Sequence, residues 1–175
     1  MKKFISLKSC FIQTCHTAHF NSSRTLLRSS KLNALARCLI VIAFVLIGQQ
    51  VRACTISVTG VNFGSYNVFS NAAQHSAGNI GLNCASSVEY TIALGAGSGT
   101  FTQRVLSSGA RSFNYNLFTA ANRALVWGDA TNGSFAVSGS GTGDAINHVI
   151  YGLIPPHQNV PAGNYSDTIT VMITF

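Results

Sequence analysis

The sequence predicts an all-β protein, a sandwich of two packed sheets, and three observations carry that reading. After residue 53 no stretch sustains apolar residues at i, i+3, i+4 and i+7, so the helical period is missing. Short segments of alternating polarity recur instead. The sharpest is the last, where Ile169, Val171, Ile173 and Phe175 alternate with Thr170, Met172 and Thr174. Between such segments lie the breakers Gly95–Gly99 (GAGSG), Ser107–Ala110 (SSGA) and Gly139–Gly143 (GSGTG), where the backbone must turn.

In chain order, the first feature is a leader. The apolar run Cys38–Gly48 (CLIVIAFVLIG) follows basic residues and leads to Val51-Arg52-Ala53, the pattern of a secretory signal peptide cleaved after Ala53, before Cys54. A membrane anchor is the alternative, but the run falls well short of the roughly 20 residues that span a bilayer. An acylated Cys54 is disfavoured by Arg52, which stands where small residues are usual. Residues 1–37 are long for a charged leading region. Either translation starts further along or the leader is extended, and the segment is set aside from the fold.

Charge follows the same boundary. The chain carries a formal +7, yet of its 11 cations only Arg104, Arg111 and Arg123 lie beyond residue 53, against Glu89, Asp129, Asp144 and Asp167. Without lysine or a basic stripe, residues 54–175 offer phosphate backbones nothing to grip, which argues against nucleic acid as a partner. Their length, about 120 residues, fits one domain. Of five cysteines only Cys54 and Cys84 remain there, and an even pair in an exported protein reads as a disulfide. Closing a loop of about 30 residues would stabilise by roughly 3 to 4 kcal/mol.

Candidate strands then follow at Thr55–Val58 continuing towards Val61–Phe63, Asn79–Cys84, Val88–Leu94, Ser112–Phe118, Ala124–Trp127, Ser134–Val137, Ile146–Ile154 and Asp167–Phe175. Tyr90, Ile92 and Leu94 form one inward face, and Phe113, Tyr115 and Leu117 another. Trp127, the single tryptophan, reads as packing at a sheet end with its indole N–H satisfied nearby. The sharper alternative makes it a ligand contact that stacks on a sugar.

The chemistry of a catalyst was sought and does not assemble. His75, His148 and His157 are scattered, read as loop or surface residues, and have no G-x-S-x-G motif near them. The four acids lie far apart in loop-like or strand-edge settings, which gives a glycosidase pair no support. No ligand cluster points to a metal, and the glycine-rich loops lead into no helix that would cradle phosphate. The reading is a non-enzyme with no cofactor.

Several segments together resemble a known family: CTISVT at Cys54, NFGSY at Asn62, LNC at Leu82, YTIALGAG at Tyr90, Arg104 ahead of FNYNLF at Phe113, WGD at Trp127, VIYGLIP at Val149 and GNYSDTITV at Gly163. In this order they resemble the spore coat protein U domain, which is also the fold of archaic chaperone-usher pilus subunits. The resemblance runs over nearly all of residues 54–175. It implies an immunoglobulin-like Greek-key sandwich lacking its last strand, with a groove open beside the C-terminal strand. It also implies a periplasmic chaperone that fills the groove first, an outer-membrane usher, and other pilus subunits whose strand later replaces the chaperone's. The groove residues it implies are Ile169, Val171, Ile173 and Phe175 on the last strand, with Ile56 and Val58 on the first.

Two alternatives stand beside this reading, a self-standing spore-coat or secreted matrix protein and a carbohydrate-binding adhesin that meets a host or abiotic surface. One departure from the family pattern bears on position. Shaft subunits are expected to carry a donor segment ahead of the domain, and a donor covering about five residues of groove needs roughly 17 Å of chain. Cleavage after Ala53 would leave none, which predicts a subunit at a fibre tip or another terminal position.

Overall fold

The computed structural model describes residues 4–11 and 54–175, and all its regular elements are strands. The first, β1, spans Phe4–Phe11. Strand β2 (Cys54–Thr59) pairs antiparallel with β3 (Gln74–Cys84), and their register places Cys54 opposite Cys84. Strand β3 in turn pairs with β8 (Ala145–Ile154) along almost its whole length. This sheet is completed by the end of β6 (Arg111–Phe118), where Asn116 to Phe118 pair with β8.

The first half of β6 belongs to the other sheet. There it forms a hairpin with β5 (Arg104–Ser108), turning at Gly109, whose φ of 62° suits a residue without a Cβ. Strand β9 (Ser166–Thr174) meets β5 at Ser107 and then β4 (Glu89–Leu94), and β7 (Val137–Ser140) closes that sheet beyond β4. The long returns from β3 to β8 and from β4 to β9 are the crossovers of a Greek key. The result is a two-sheet, immunoglobulin-like sandwich in which β6 passes from one layer to the other.

The core lies between the layers. Ile80, Leu82 and Ile150 from one sheet face Ile92, Leu106 and Val171 from the other, each fully or almost fully buried. The alternations at Tyr90–Leu94 and Phe113–Leu117 point inward as read. Val61 and Phe63 do not extend β2 as a strand. They lie over β3 and β8, and glycines make room for them: a Cβ on Gly152 would come within 2.6 Å of the Phe63 ring, and one on Gly78 within 2.9 Å of Val61.

Some strand and loop expectations are corrected. Strand β5 went unread, and the breaker expected at Ser107–Ala110 shrinks to a turn at Gly109 and Ala110, because Ser107 and Ser108 belong to β5. Ala124–Trp127 and Ser134–Phe135 contribute only isolated bridges, Phe118 with Val126 and Trp127 with Phe135, and the strand that follows is β7 from Val137, which takes Gly139 and Ser140 out of the breaker expected at Gly139–Gly143. Their backbone is taken up locally: Phe135 N–H donates to the Val126 carbonyl, Gly128 N–H to that of Phe135, and Ala130, Asn132 and Gly133 turn through positive φ. Residues 4–11, within the segment set aside from the fold, pair with β9 as β1. The apolar run 38–48 and the cleavage point after Ala53 lie outside the described residues.

Candidate functional site: a strand-binding groove

Strand β9 is rich in β-branched residues and strictly alternates, so one pleat face is buried and the other wet. Ile169 and Val171 are fully buried and Ile173 almost so, whereas Thr168, Thr170, Met172 and Thr174 are exposed. One edge of β9 is held by β4, with Ile173 opposite Ile92 and Val171 opposite Leu94, and lower down by Ser107 of β5. Gly95 N–H adds a 2.8 Å bond to the Thr170 carbonyl.

The other edge takes β1. The pairing is parallel and runs from Phe4 opposite Ser166 to Phe11 opposite Ile173. Strand β1 also passes close to β2, the outermost strand of the second sheet. Ile56 and Val58 of β2 are in register with the buried Leu82 and Ile80, yet stay half-buried themselves, as side chains at an open margin would. Phe175 packs half-buried against the core just past the end of β9. Of the six residues expected to line a groove, Ile56 and Val58 lie on β2, Ile169, Val171 and Ile173 on β9 and Phe175 just past its end, with β1 along β9.

Each wall is anchored away from the groove. Cys54 and Cys84 are disulfide-bonded, which ties the start of β2 to the end of β3. Near the start of β9, Asp167 is buried, which corrects its reading as a loop or edge acid. Its carboxylate accepts from the Tyr115 hydroxyl at 2.7 Å, from Ser98 N–H at 3.0 Å and hydroxyl at 2.9 Å, and from Thr168 N–H at 2.8 Å. Gly97, at φ 67°, has to be glycine, since a Cβ there would collide with that carboxylate. Burial, with the nearby Asp167 charge and hydrogen bond, pushes the Tyr115 phenol far above its ordinary value and keeps it protonated as a donor.

Arg104 is also fully buried. Its guanidinium donates to the Gly95 carbonyl at 2.9 and 3.2 Å, to the Trp127 carbonyl at 2.6 Å and to Asn116 Oδ1 at 2.6 Å, with the Phe101 ring 5.6 Å away. Burial lowers its pKa, and Tyr115 and Asp167 pull it back up. Arg104 and Asp167 therefore grip the 95–99 connection from two sides and fix where β9 begins. Arg104 figured in the sequence only as a family residue. Its position two before Leu106, an inward site, was the available signal.

Trp127 is fully buried and its indole N–H donates to the Ile92 carbonyl at 3.1 Å. Its ring has no open face for a sugar, which corrects the ligand-contact reading. His75 and His157 are exposed. His148 sits on β8 rather than on a loop, half-buried, with its Nε2 2.9 Å from the Tyr90 hydroxyl. Burial lowers the His148 pKa, and burial together with the charge of Glu89 raises that of Tyr90. Among the described residues no group of three His, Cys, Asp or Glu side chains is placed to hold a metal.

Such a fold and edge define a class, immunoglobulin-like sandwiches in which an added strand completes the domain. The family is specific: the Spore Coat Protein U domain matches residues 41–172, and the chain belongs to that family. It is 27% identical over 129 residues to Protein U of Myxococcus xanthus, covering 66% of this chain and 71% of that protein. It is also similar to a chain in the crystal structure of the CsuC-CsuE chaperone-tip adhesion subunit pre-assembly complex from archaic chaperone-usher Csu pili of Acinetobacter baumannii. That match has 26% identity and a TM-score of 0.54, covering 71% of this chain but only 40% of the matched one.

Proposed function

We propose that this chain is an exported structural subunit of a surface pilus or fibre, assembled by chaperone-usher donor-strand complementation. The observation that carries the proposal is the outer edge of β9, where backbone pairing and the buried row Ile169, Val171 and Ile173 are completed by a strand not contiguous with the domain. The likeness to a chain of a chaperone–subunit complex supports a periplasmic chaperone as first occupant, with an usher and other subunits as later partners. The role is architectural, not catalytic. Residues 1–53 are the cleaved leader and 54–175 the subunit domain. Because β2 begins at Cys54 and is tethered there by the disulfide, a cut after Ala53 would leave no donor ahead of it, which favours a tip or another terminal position.

The test is co-purification with the chaperone encoded nearest to this gene, from a periplasmic extract, using Val171→Asp and Ile173→Asp. Each puts a charge among buried apolar groups, at a cost of several kcal/mol, and should abolish recovery with the chaperone. Met172→Asp, on the exposed face of the same strand, should leave recovery unchanged. Undiminished recovery with both inward variants would sink the groove assignment.

A second reading has its own observation. Here β1 of the same chain lies on the β9 edge, and Protein U is a relative, so a self-standing coat or matrix protein needs no chaperone. Export and recovery as a folded monomer from a strain without the chaperone would favour it.

A further inference from the structure

We infer that residues 4–11 are a built-in cap, a strand that closes the groove of the unprocessed chain and is lost with the leader. The inference rests on reading the β9 edge as a strand acceptor. It goes beyond that reading in naming a cis occupant, its register and the event that removes it.

Three observations carry it. First, β1 follows β9 continuously from Ser166 to Ile173, so the pairing covers Ile169, Val171 and Ile173 and stops short only of Phe175. Second, the sequence of the segment suits its register. Of the four buried positions of β9, Asp167, Ile169 and Ile173 stand opposite Ile5, Leu7 and Phe11 and Val171 stands opposite the small Ser9, while Lys8 and Cys10 stand opposite the exposed Thr170 and Met172. Such matching in steps of two is what lets a strand read an edge, and a slip of one residue would bring Lys8 opposite a buried position. Third, the pairing is parallel. Parallel ladders are slightly weaker per residue than antiparallel ones, so such a cap holds the edge yet yields to an antiparallel strand from elsewhere.

The place of the cap follows from the chain itself. Residues 12–53 join β1 to β2, so β1 stays attached to the domain only while the leader is uncut. The cap therefore belongs to the unprocessed chain. It covers an apolar edge that would otherwise pair with another copy. Removal of residues 1–53 takes the cap away and opens the groove where a partner strand is to enter.

The experiment uses the full unprocessed chain and its native Cys10. Met172→Cys, in a background of Cys15→Ser and Cys38→Ser, places a thiol opposite Cys10 on an adjacent strand. Paired strands lie about 4.8 Å apart, within the Cα separation of about 4.4 to 6.8 Å that a disulfide spans. Thr168→Cys in the same background puts the thiol opposite Ser6, about 13 Å along the strand from Cys10. Each variant is oxidised mildly and its disulfides are located by peptide mapping. The link from Cys10 to the thiol introduced by Met172→Cys should be at least about tenfold more abundant than the link from Cys10 to the thiol introduced by Thr168→Cys. Equal yields, or links only between chains, would overturn the cap. Both substituted positions are exposed, so the variants keep the core intact. A cis link in the unprocessed chain together with no chaperone recovery of the processed protein would retain the cap and reject the pilus reading. The converse pair of results would reject the cap alone.

Discussion

Replacing Arg104 by methionine removes the buried guanidinium and all its donors while keeping an unbranched apolar stem, with some packing lost because methionine is the shorter side chain. Arg104 satisfies three acceptors: the carbonyls of Gly95 and Trp127 and the amide oxygen of Asn116. Leaving a buried acceptor unpaired costs about 1–3 kcal/mol, so losing all three sums to roughly 3–9 kcal/mol. Asn116 offsets part of this, since its Oδ1 also accepts from Leu117 N–H, and methionine avoids the desolvation of a buried cation. A net loss of about 3 kcal/mol is the expected outcome, a large share of the roughly 5–15 kcal/mol typical of a domain. Equilibrium urea unfolding with the disulfide intact measures it through the midpoint at unchanged slope. Arg104→Lys keeps the charge but not the fork and should recover less than half of the loss. A loss below about 1 kcal/mol in Arg104→Met would refute the claim that this network holds the 95–99 connection.

Two further perturbations follow from the structure. The folded-state pKa of His148 is depressed by burial, so the unfolded chain takes up the proton first as pH falls. Stability should therefore be level above the ordinary histidine value of about 6.5 and decline below it, and His148→Gln should flatten that decline in unfolding midpoints measured from about pH 7.5 to 5. Replacing Cys54 and Cys84 by serine together should lower stability by roughly 3 to 4 kcal/mol, read by the same urea titration.

What the sequence made legible was decided by which side chains point inward. At Tyr90–Leu94, Phe113–Leu117 and Ile169–Ile173 the inward residues are apolar, so polarity and geometry share one period and the strands could be read directly. In β5 the inward residues are Arg104 and Leu106, and a charge at an interior position breaks the pattern that alternation relies on. Asp167 hides the start of β9 in the same way. Both depend on partners distant in sequence, the carbonyl of Trp127 and the hydroxyls of Ser98 and Tyr115, and no local window contains those pairs. Between Ala124 and Val137 the opposite happens. The residues have strand character, but local hydrogen bonds and positive-φ turns consume the backbone that a ladder would need. The groove residues were named from the family resemblance alone, whereas β1 went unread because a leader is read for targeting rather than for pairing.

The two walls owe nothing essential to whatever lies between them. Strand β2 is bonded to β3 along its length and closed by the disulfide, and β9 is held on its inner edge by β4 and at its start by the Asp167 contacts. On the proposed reading, exchange of the occupant would break the occupant's own ladder and uncover one apolar row, without disturbing the bonds that define either wall. The exposed row is the unstable part, since Ile169, Val171 and Ile173 would face water together with a line of unpaired backbone groups. A groove of this kind is rigid enough to impose a register and costly enough when empty to require an occupant. Those are the two conditions under which one strand hands over to another without the domain unfolding. The disulfide and the Arg104–Asp167 grip supply the first condition, and the alternation of β9 supplies the second.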